Sequence, residues 1–230
     1  MFKHRSTQKE LLDAVDIPEK DLFQNLKELD FINHWLGGYA VSFNALKDLL
    51  PRDKALCVVD IGSGGGDTLL RMESWAQQQG IDLKLVGIDQ KEVCIQYAES
   101  RQRSGNIQYF CDDYRNIGQY ITHFDLIHAS LFCHHLSHTE MVDLVRFACE
   151  RKCILVINDL ERNALAYWSI KVLTWLFSSS YLVKNDAPLS VLRGFKRVEW
   201  KKILQQAGAQ HYRIKNKWAF RHQVIVYGKQ

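Results

Sequence analysis

The chain has 230 residues, 47% hydrophobic and 24% charged, with 30 basic against 26 acidic side chains and a formal net charge of +4. That is the composition of one soluble globular domain with a sizeable core, and the charge excess is too small to argue for a nucleic-acid partner. The six cysteines form no C-x-x-C pair and the first nine residues are polar and basic. We therefore expect free thiols, no signal peptide and a cytoplasmic setting.

Up to Leu50 the chain reads as a helical cap. Leu22, Leu26, Leu29, Ile32, Trp35 and Leu36 recur at helical spacing, Gly37-Gly38 interrupts, and a second helix runs to Pro51. Trp35 and Tyr39, beside the two glycines, are candidates for a pocket wall. From Leu56 strand and helix alternate, the signature of a doubly wound parallel sheet. Strands are expected over 56–61, 83–89, 107–111, 124–128 and 153–158, and helices over 66–79, 92–103, 139–150 and 197–207. Gly208 suits a helix C-terminus. The last two strands, 210–215 and 223–227, are too close for a parallel crossover and should pair antiparallel.

An insertion over 160–195 contains the apolar run N-A-L-A-Y-W-S-I-K-V-L-T-W-L-F. As a helix it is expected to bury Leu165, Trp168, Val172 and Leu176 and to leave Tyr167, Lys171 and Trp175 for another role. It is shorter than a membrane span. Three readings stand: an extra core helix, a lid over an apolar substrate with Trp168 in its pocket, and a membrane-surface patch.

The stretch 56–68, L-C-V-V-D-I-G-S-G-G-G-D-T, is a buried strand that ends in Asp60 and breaks into glycines before a helix. Glycine permits positive φ and close approach of a ligand, and a helix N-terminus offers free N–H groups. A dinucleotide fingerprint, G-x-G-x-x-G, would require glycine at position 67, which is Asp67. Asp89 ends the second strand, where a carboxylate can accept both hydroxyls of a ribose.

The D-x-G-x-G-x-G spacing of Asp60, Gly62, Gly64 and Gly66 resembles motif I of the class I S-adenosylmethionine (SAM)-dependent methyltransferases. The segment 124–136, F-D-L-I-H-A-S-L-F-C-H-H-L, resembles motif IV of small-molecule members. N-H-W-L-G-G at 33–38, N-D-L-E-R at 158–162, D-A-P-L-S at 186–190 and F-R at 220–221 resemble a bacterial group linked to polyketide and aromatic natural products. The resemblance covers nearly the whole chain. It implies a Rossmann-like seven-stranded sheet with helices on both faces, a terminal antiparallel hairpin, an N-terminal helical cap (1–52), a SAM-binding core (53–158), a helical lid insertion (159–195) and a C-terminal helix and hairpin (196–230), all in a single domain.

It further implies SAM as cofactor, held by Asp60, Gly62, Gly64, Gly66, Asp89 and Gln90. Asp113, or alternatively Asp112, would receive the adenine amino group with Tyr114 on the ring face, and Ser130 and Leu131 would meet the amino-acid portion. The implied acceptor is a small phenolic, quinone-like or polyketide molecule, methylated on oxygen. No N-P-P-Y or D-P-P-Y tetrad occurs, which disfavours nucleic-acid and protein substrates. The alternatives are an RNA or protein methyltransferase, or a SAM-binding regulatory protein without turnover.

A phenol benefits from a base with a pKa near neutrality. His134 and His135 are the candidates, and His128 a weaker one. Cys133, His134, His135 and His138 crowd into one turn, which disfavours tetrahedral zinc, so no metal is expected. Asp159 and Arg162, just past a strand end, would bind polar groups of the acceptor or pair with each other.

Overall fold

The computed structural model of the chain describes residues 2–14, 16–50, 55–102 and 104–228. Seven strands form one sheet: β1 (Leu56–Ile61), β2 (Leu83–Asp89), β3 (Ile107–Cys111), β4 (Leu126–Ser130), β5 (Ile154–Leu160), β6 (Tyr212–Lys217) and β7 (Arg221–Val226). Their order is β3-β2-β1-β4-β5-β7-β6. The first five run parallel, and β7 is antiparallel to both β5 and β6. The order reverses between β1 and β4, which opens a crevice beyond their C-terminal ends.

β1 is buried along its whole length, as a central strand covered on both faces must be. Side chains alternate across it. Leu56 and Val58 pack with α2 (Gly38–Leu49), α3 (Asp67–Gln79) and α4 (Glu92–Arg101). Cys57, Val59 and Ile61 pack on the other face with α5 (His138–Glu150) and α8 (Arg197–Gln206). The same parity puts His128 and Asn158 on the α2 side and Asp159 on the α5 side, and this decides which polar residues meet.

Every expected strand is present, but β4 and β5 run two residues further than their polarity suggested. His128, Asn158 and Asp159 are polar yet fully paired inside the sheet. The β6–β7 turn is tighter than expected. Ala219 and Phe220 both adopt left-handed backbone, φ 55 and 53, the conformation usually signalled by Asn-Gly. Gly208 follows α8 with φ +74, and Gly37 turns α1 (Glu19–Trp35) into α2 with φ +68. Pro51, expected to end α2, and residue 103, the expected end of the 92–103 helix, lie outside the described residues.

The insertion forms two helices, α6 (Ala164–Phe177) and α7 (Tyr181–Arg193). Its expected burial is reversed. Leu165, Trp168, Val172 and Leu176 are exposed, whereas Ala166, Tyr167 and Thr174 are buried. α6 is apolar almost all round, so periodicity cannot choose its inner face. The small Ala166 and Thr174 allow close packing, and that side wins. α7 is the inner helix of the insertion, with Leu182, Val183, Leu189 and Val191 buried.

Candidate active site

The crevice begins at the glycine loop. Gly62, Gly64 and Gly66 all take positive φ, 64, 51 and 72, which a side chain would strain. A Cβ on Gly62 would stand 2.2 Å from the Phe132 ring, and one on Gly66 2.4 Å from Tyr109 Oη. Gly64 is different. Beyond it lies open space, bounded only by Leu26 at 3.9 Å. Beside it the buried Ser63 hydroxyl has no hydrogen-bond partner among the described residues. An orphaned hydroxyl at an open backbone turn is the mark of a ligand cradle.

Asp89, at the end of β2, fastens this loop. Its Oδ2 accepts the Gly64 N–H and its Oδ1 the Lys91 N–H, both at 2.9 Å. Each oxygen keeps a second lone pair for a hydroxyl donor. Burial raises the Asp89 carboxyl above its ordinary value, against the two N–H bonds and the charge of His135. Past β3, Asp113 accepts from Gln90 Nε2 at 2.8 Å and from Arg115, which holds its pKa down. Asp112 is engaged instead by Asn116 and Tyr120, each at 2.8 Å. Tyr114 meets Phe132 edge to face at 5.6 Å. Leu131 is held at φ 53 with its N–H on the Asn158 carbonyl at 2.9 Å. A bulky residue in that region is strained, and the strain turns the chain from Ser130 sharply toward the crevice.

Asp60 does not reach the crevice surface. It is 3% exposed, and its Oδ1 accepts from His128 Nδ1 at 2.7 Å. His128 Nε2 bonds Ser42 Oγ at 2.8 Å, and Ser42 accepts from Asn158 Nδ2 at 3.1 Å. Asn158 Oδ1 accepts from Arg221, which also donates to Asn33 Oδ1 at 3.0 Å. This buried chain ties the sheet to α2 and α1 beneath the glycine loop. His128 is therefore structural, not a base: it is fully buried and both ring nitrogens are engaged.

The other two histidines sit on a short 3-10 turn, Cys133–His135, past β4. Asp159 Oδ1 accepts from His134 Nδ1 at 2.8 Å and its Oδ2 from the His134 backbone N–H at 2.7 Å. His134 Nε2 faces Glu10 Oε1 at 3.6 Å, and His135 Nε2 faces Glu10 Oε2 at 3.7 Å. His135 Nδ1 lies 3.3 Å from Asp13. Burial lifts the Glu10 carboxyl to about 7, although His135, Ser190 and Arg193 oppose it. Asp159 is held below the usual carboxylate range: burial works against this, but the charge and bonds of His134 outweigh it. Glu10, His134 and His135 also bring three ligand atoms within 4.8 Å of one another. Positive charge is already supplied there by Arg193, 3.9 Å from Glu10, and by Arg5, which with Arg193 donates to the His134 carbonyl. Cys133 and His138 are not part of this cluster: the first is buried in the core and the second bonds Gln206 at 2.7 Å.

Four expected pocket residues stand elsewhere. Trp35 and Trp168 are 70% and 54% exposed, so neither lines an enclosed pocket. Tyr39 is buried, its hydroxyl between Asp30 (2.7 Å) and Asp67. Arg162 is buried and bonds Glu199 at 2.7 Å and the Gly194 carbonyl, so it pairs internally and not with Asp159. Asp159 is 1% exposed and acts on His134.

Glu10, Asp13 and Arg193 were not read from the sequence. Glu10 lies in a segment without regular pattern that crosses the crevice. D-A-P-L-S was the available signal: Asp186 accepts the Leu11 and Leu12 N–H groups at 2.8 Å, and Ser190 donates to Glu10 at 2.9 Å. The motif is the clasp for that segment.

Residues 58–151 match the family model described as a methyltransferase domain. No curated protein matches the chain. The plantazolicin methyltransferase BpumL, solved in complex with SAH, is similar at 16% identity and TM-score 0.66, over 94% of this chain and 92% of that one. Human N-acetylserotonin methyltransferase, solved with SAM, is similar at 16% identity and TM-score 0.66, over 96% of this chain and 60% of that one. The CMeT domain of the citrinin polyketide synthase is similar at 14% identity and TM-score 0.57, over 89% of this chain and 52% of that one. At these identities the likeness is one of fold. The match to the methyltransferase-domain model is confined to residues 58–151, and the chain shares the seven-stranded fold of these structures.

Proposed function

We propose that the protein transfers a methyl group from SAM to an oxygen of a small aromatic acceptor. The observation that supports this most is adjacency. Phe132 packs directly on Gly62 of the cradle, and the turn that follows it carries His134 and His135. Donor site and base are thus one turn apart.

The cradle fits the donor. Asp89 has lone pairs for ribose hydroxyls, Asp113 and Gln90 would receive an adenine edge with Tyr114 beside its face, and Gly64 leaves an open backbone. The turn at Ser130 and Leu131 would face the amino-acid portion. SAM brings an activated methyl group on a sulfonium, so the protein must chiefly align the nucleophile. Asp159 fixes the ring of His134 and turns its Nε2 toward Glu10. His134 or His135 would take the acceptor's O–H proton and so ready its oxygen for the methyl group that SAM would supply. Glu10, with a pKa near neutrality, holds that proton between the two imidazoles.

Incubation with isotopically labelled SAM and a panel of phenols tests this. Labelled methyl ethers, lost in both His134→Ala and His135→Ala, are expected. Label on RNA or protein, or SAM binding without turnover, would support the other readings instead.

A further inference from the structure

The outer face of α6 has the character of a protein interior but faces solvent. Leu165, Trp168, Val172, Trp175, Leu176 and Phe177 are each more than half exposed. The face continues onto α1. Glu28 accepts the N–H groups of Ser179 and Ser180 at 3.1 Å, which sets the C-terminal end of α6 beside the middle of α1. Phe31 and Trp35, three and seven residues on along the same side of α1, are 61% and 70% exposed. At the other end the Trp218 side chain, 78% exposed, lies 3.7 Å from the Cβ position of Gly37, and Phe220 accepts the Glu161 N–H just before α6 begins. The C-terminal end of α6 is thus fastened to α1, and the two helices with Trp218 carry four exposed tryptophans. Single exposed apolar residues are ordinary, but a contiguous surface of this kind marks an interaction site.

Charge identifies the occupant. α6 has one charged residue, Lys171, whose Nζ lies over the Tyr167 and Trp168 rings at 5.6 and 5.2 Å. From Lys20 to Trp35 the exposed positions of α1 are Lys20, Gln24, Lys27, Phe31, His34 and Trp35. Two of its carboxylates are turned to partners, Glu28 to the serines and Asp30 to Arg71 and Arg101, while Glu19 in its first turn is exposed. Lys215 and Lys217 flank Trp218. An apolar, tryptophan-rich surface whose exposed lysines outnumber its one exposed acid, Glu19, matches the boundary between acyl chains and anionic headgroups. With 14 residues, α6 is about 21 Å long, too short to span a bilayer. Among the described residues no helix is long and apolar enough to cross one. A second copy docked through the same face would gather Lys27 and Lys171 of both copies, all of one sign, into a single interface.

We propose that this face docks in the plane of an anionic lipid bilayer, with α6 lying along the surface. The inference does not rest on the proposed chemistry, because none of these side chains reaches the glycine loop or the histidines.

Co-sedimentation with phosphatidylcholine vesicles, with and without phosphatidylglycerol, tests it. The protein is expected to bind the mixed vesicles, more weakly at high salt, with a blue shift of its tryptophan fluorescence. Trp175→Ser with Phe177→Ser should weaken binding about tenfold or more, and Lys27→Glu with Lys171→Glu should remove the preference for the anionic vesicles. Circular dichroism and thermal unfolding should be unchanged, since all four side chains are exposed. Absence of vesicle binding, or equal binding by the Trp175/Phe177 variant, would overturn the proposal. So would a dimer by light scattering that the Trp175/Phe177 variant dissociates, which would assign the face to a second copy.

Discussion

Asp159 holds His134 at two points, accepting its backbone N–H on one carboxylate oxygen and its ring Nδ1 on the other, at 2.7 and 2.8 Å. Both residues are almost fully buried, so the grip sets the tautomer and angle of the imidazole and leaves only Nε2 to do chemistry. Asp159→Asn keeps the shape but offers one acceptor where two are needed. We expect kcat to fall on the order of 100-fold while SAM affinity by calorimetry stays the same. Equal losses in kcat and affinity would mean a merely structural role.

Glu10 makes stability depend on pH in a defined window. Burial raises its carboxyl from 4.5 to about 7, so the folded state binds a proton that the unfolded chain has released between those values. The resulting stabilisation is complete below about pH 4.5 and is lost as pH rises through 7, by about 3 kcal/mol. Urea denaturation across this range should show the decline in the wild type and a flatter profile in Glu10→Gln. Asp13 and Asp159, both held below their ordinary values, act with opposite sign and only at the acid end, below about pH 4.

Asp89→Ala removes the acceptor for two backbone N–H groups, those of Gly64 and Lys91, and with it the proposed ribose contact. A loss of about 2 kcal/mol in SAM binding, roughly 30-fold in Kd, is expected by titration calorimetry. Unchanged affinity would place the ribose elsewhere.

Gly62→Ala meets two obstacles, a φ of +64 and a Phe132 ring 2.2 Å from the new carbon. Melting should show a destabilisation of about 1–3 kcal/mol. Phe132→Ala in the same chain should recover the steric part and leave the backbone part.

The sheet was legible because its strands are continuous apolar runs closed by acids or glycines. The glycine loop was marked by its resemblance to a methyltransferase motif, and Asp89 by its place at a strand end. What misled was polarity inside the sheet. Asp60 and Arg162 look like site residues in the sequence, yet pair with His128 and Glu199. Whether a polar residue at a strand end faces the crevice or the core depends on side-chain parity and the helix above, and neither is written locally. Glu10 was invisible for the converse reason: a segment with no pattern acquires its place only from the clasp at Asp186 and Ser190. The inner face of α6 was set by Ala166 and Thr174 because a helix apolar all round has no periodicity to read.

The central claim is that the loop of Gly62, Gly64 and Gly66, clamped by Asp89, is built for an adenosyl sulfonium. Thermal unfolding of the wild-type protein with SAM, and separately with NADH, tests it most directly. At about 100 times its Kd a bound ligand adds about 2.7 kcal/mol, so SAM should raise the melting temperature and NADH should leave it in place. A rise with NADH and none with SAM would contradict the account.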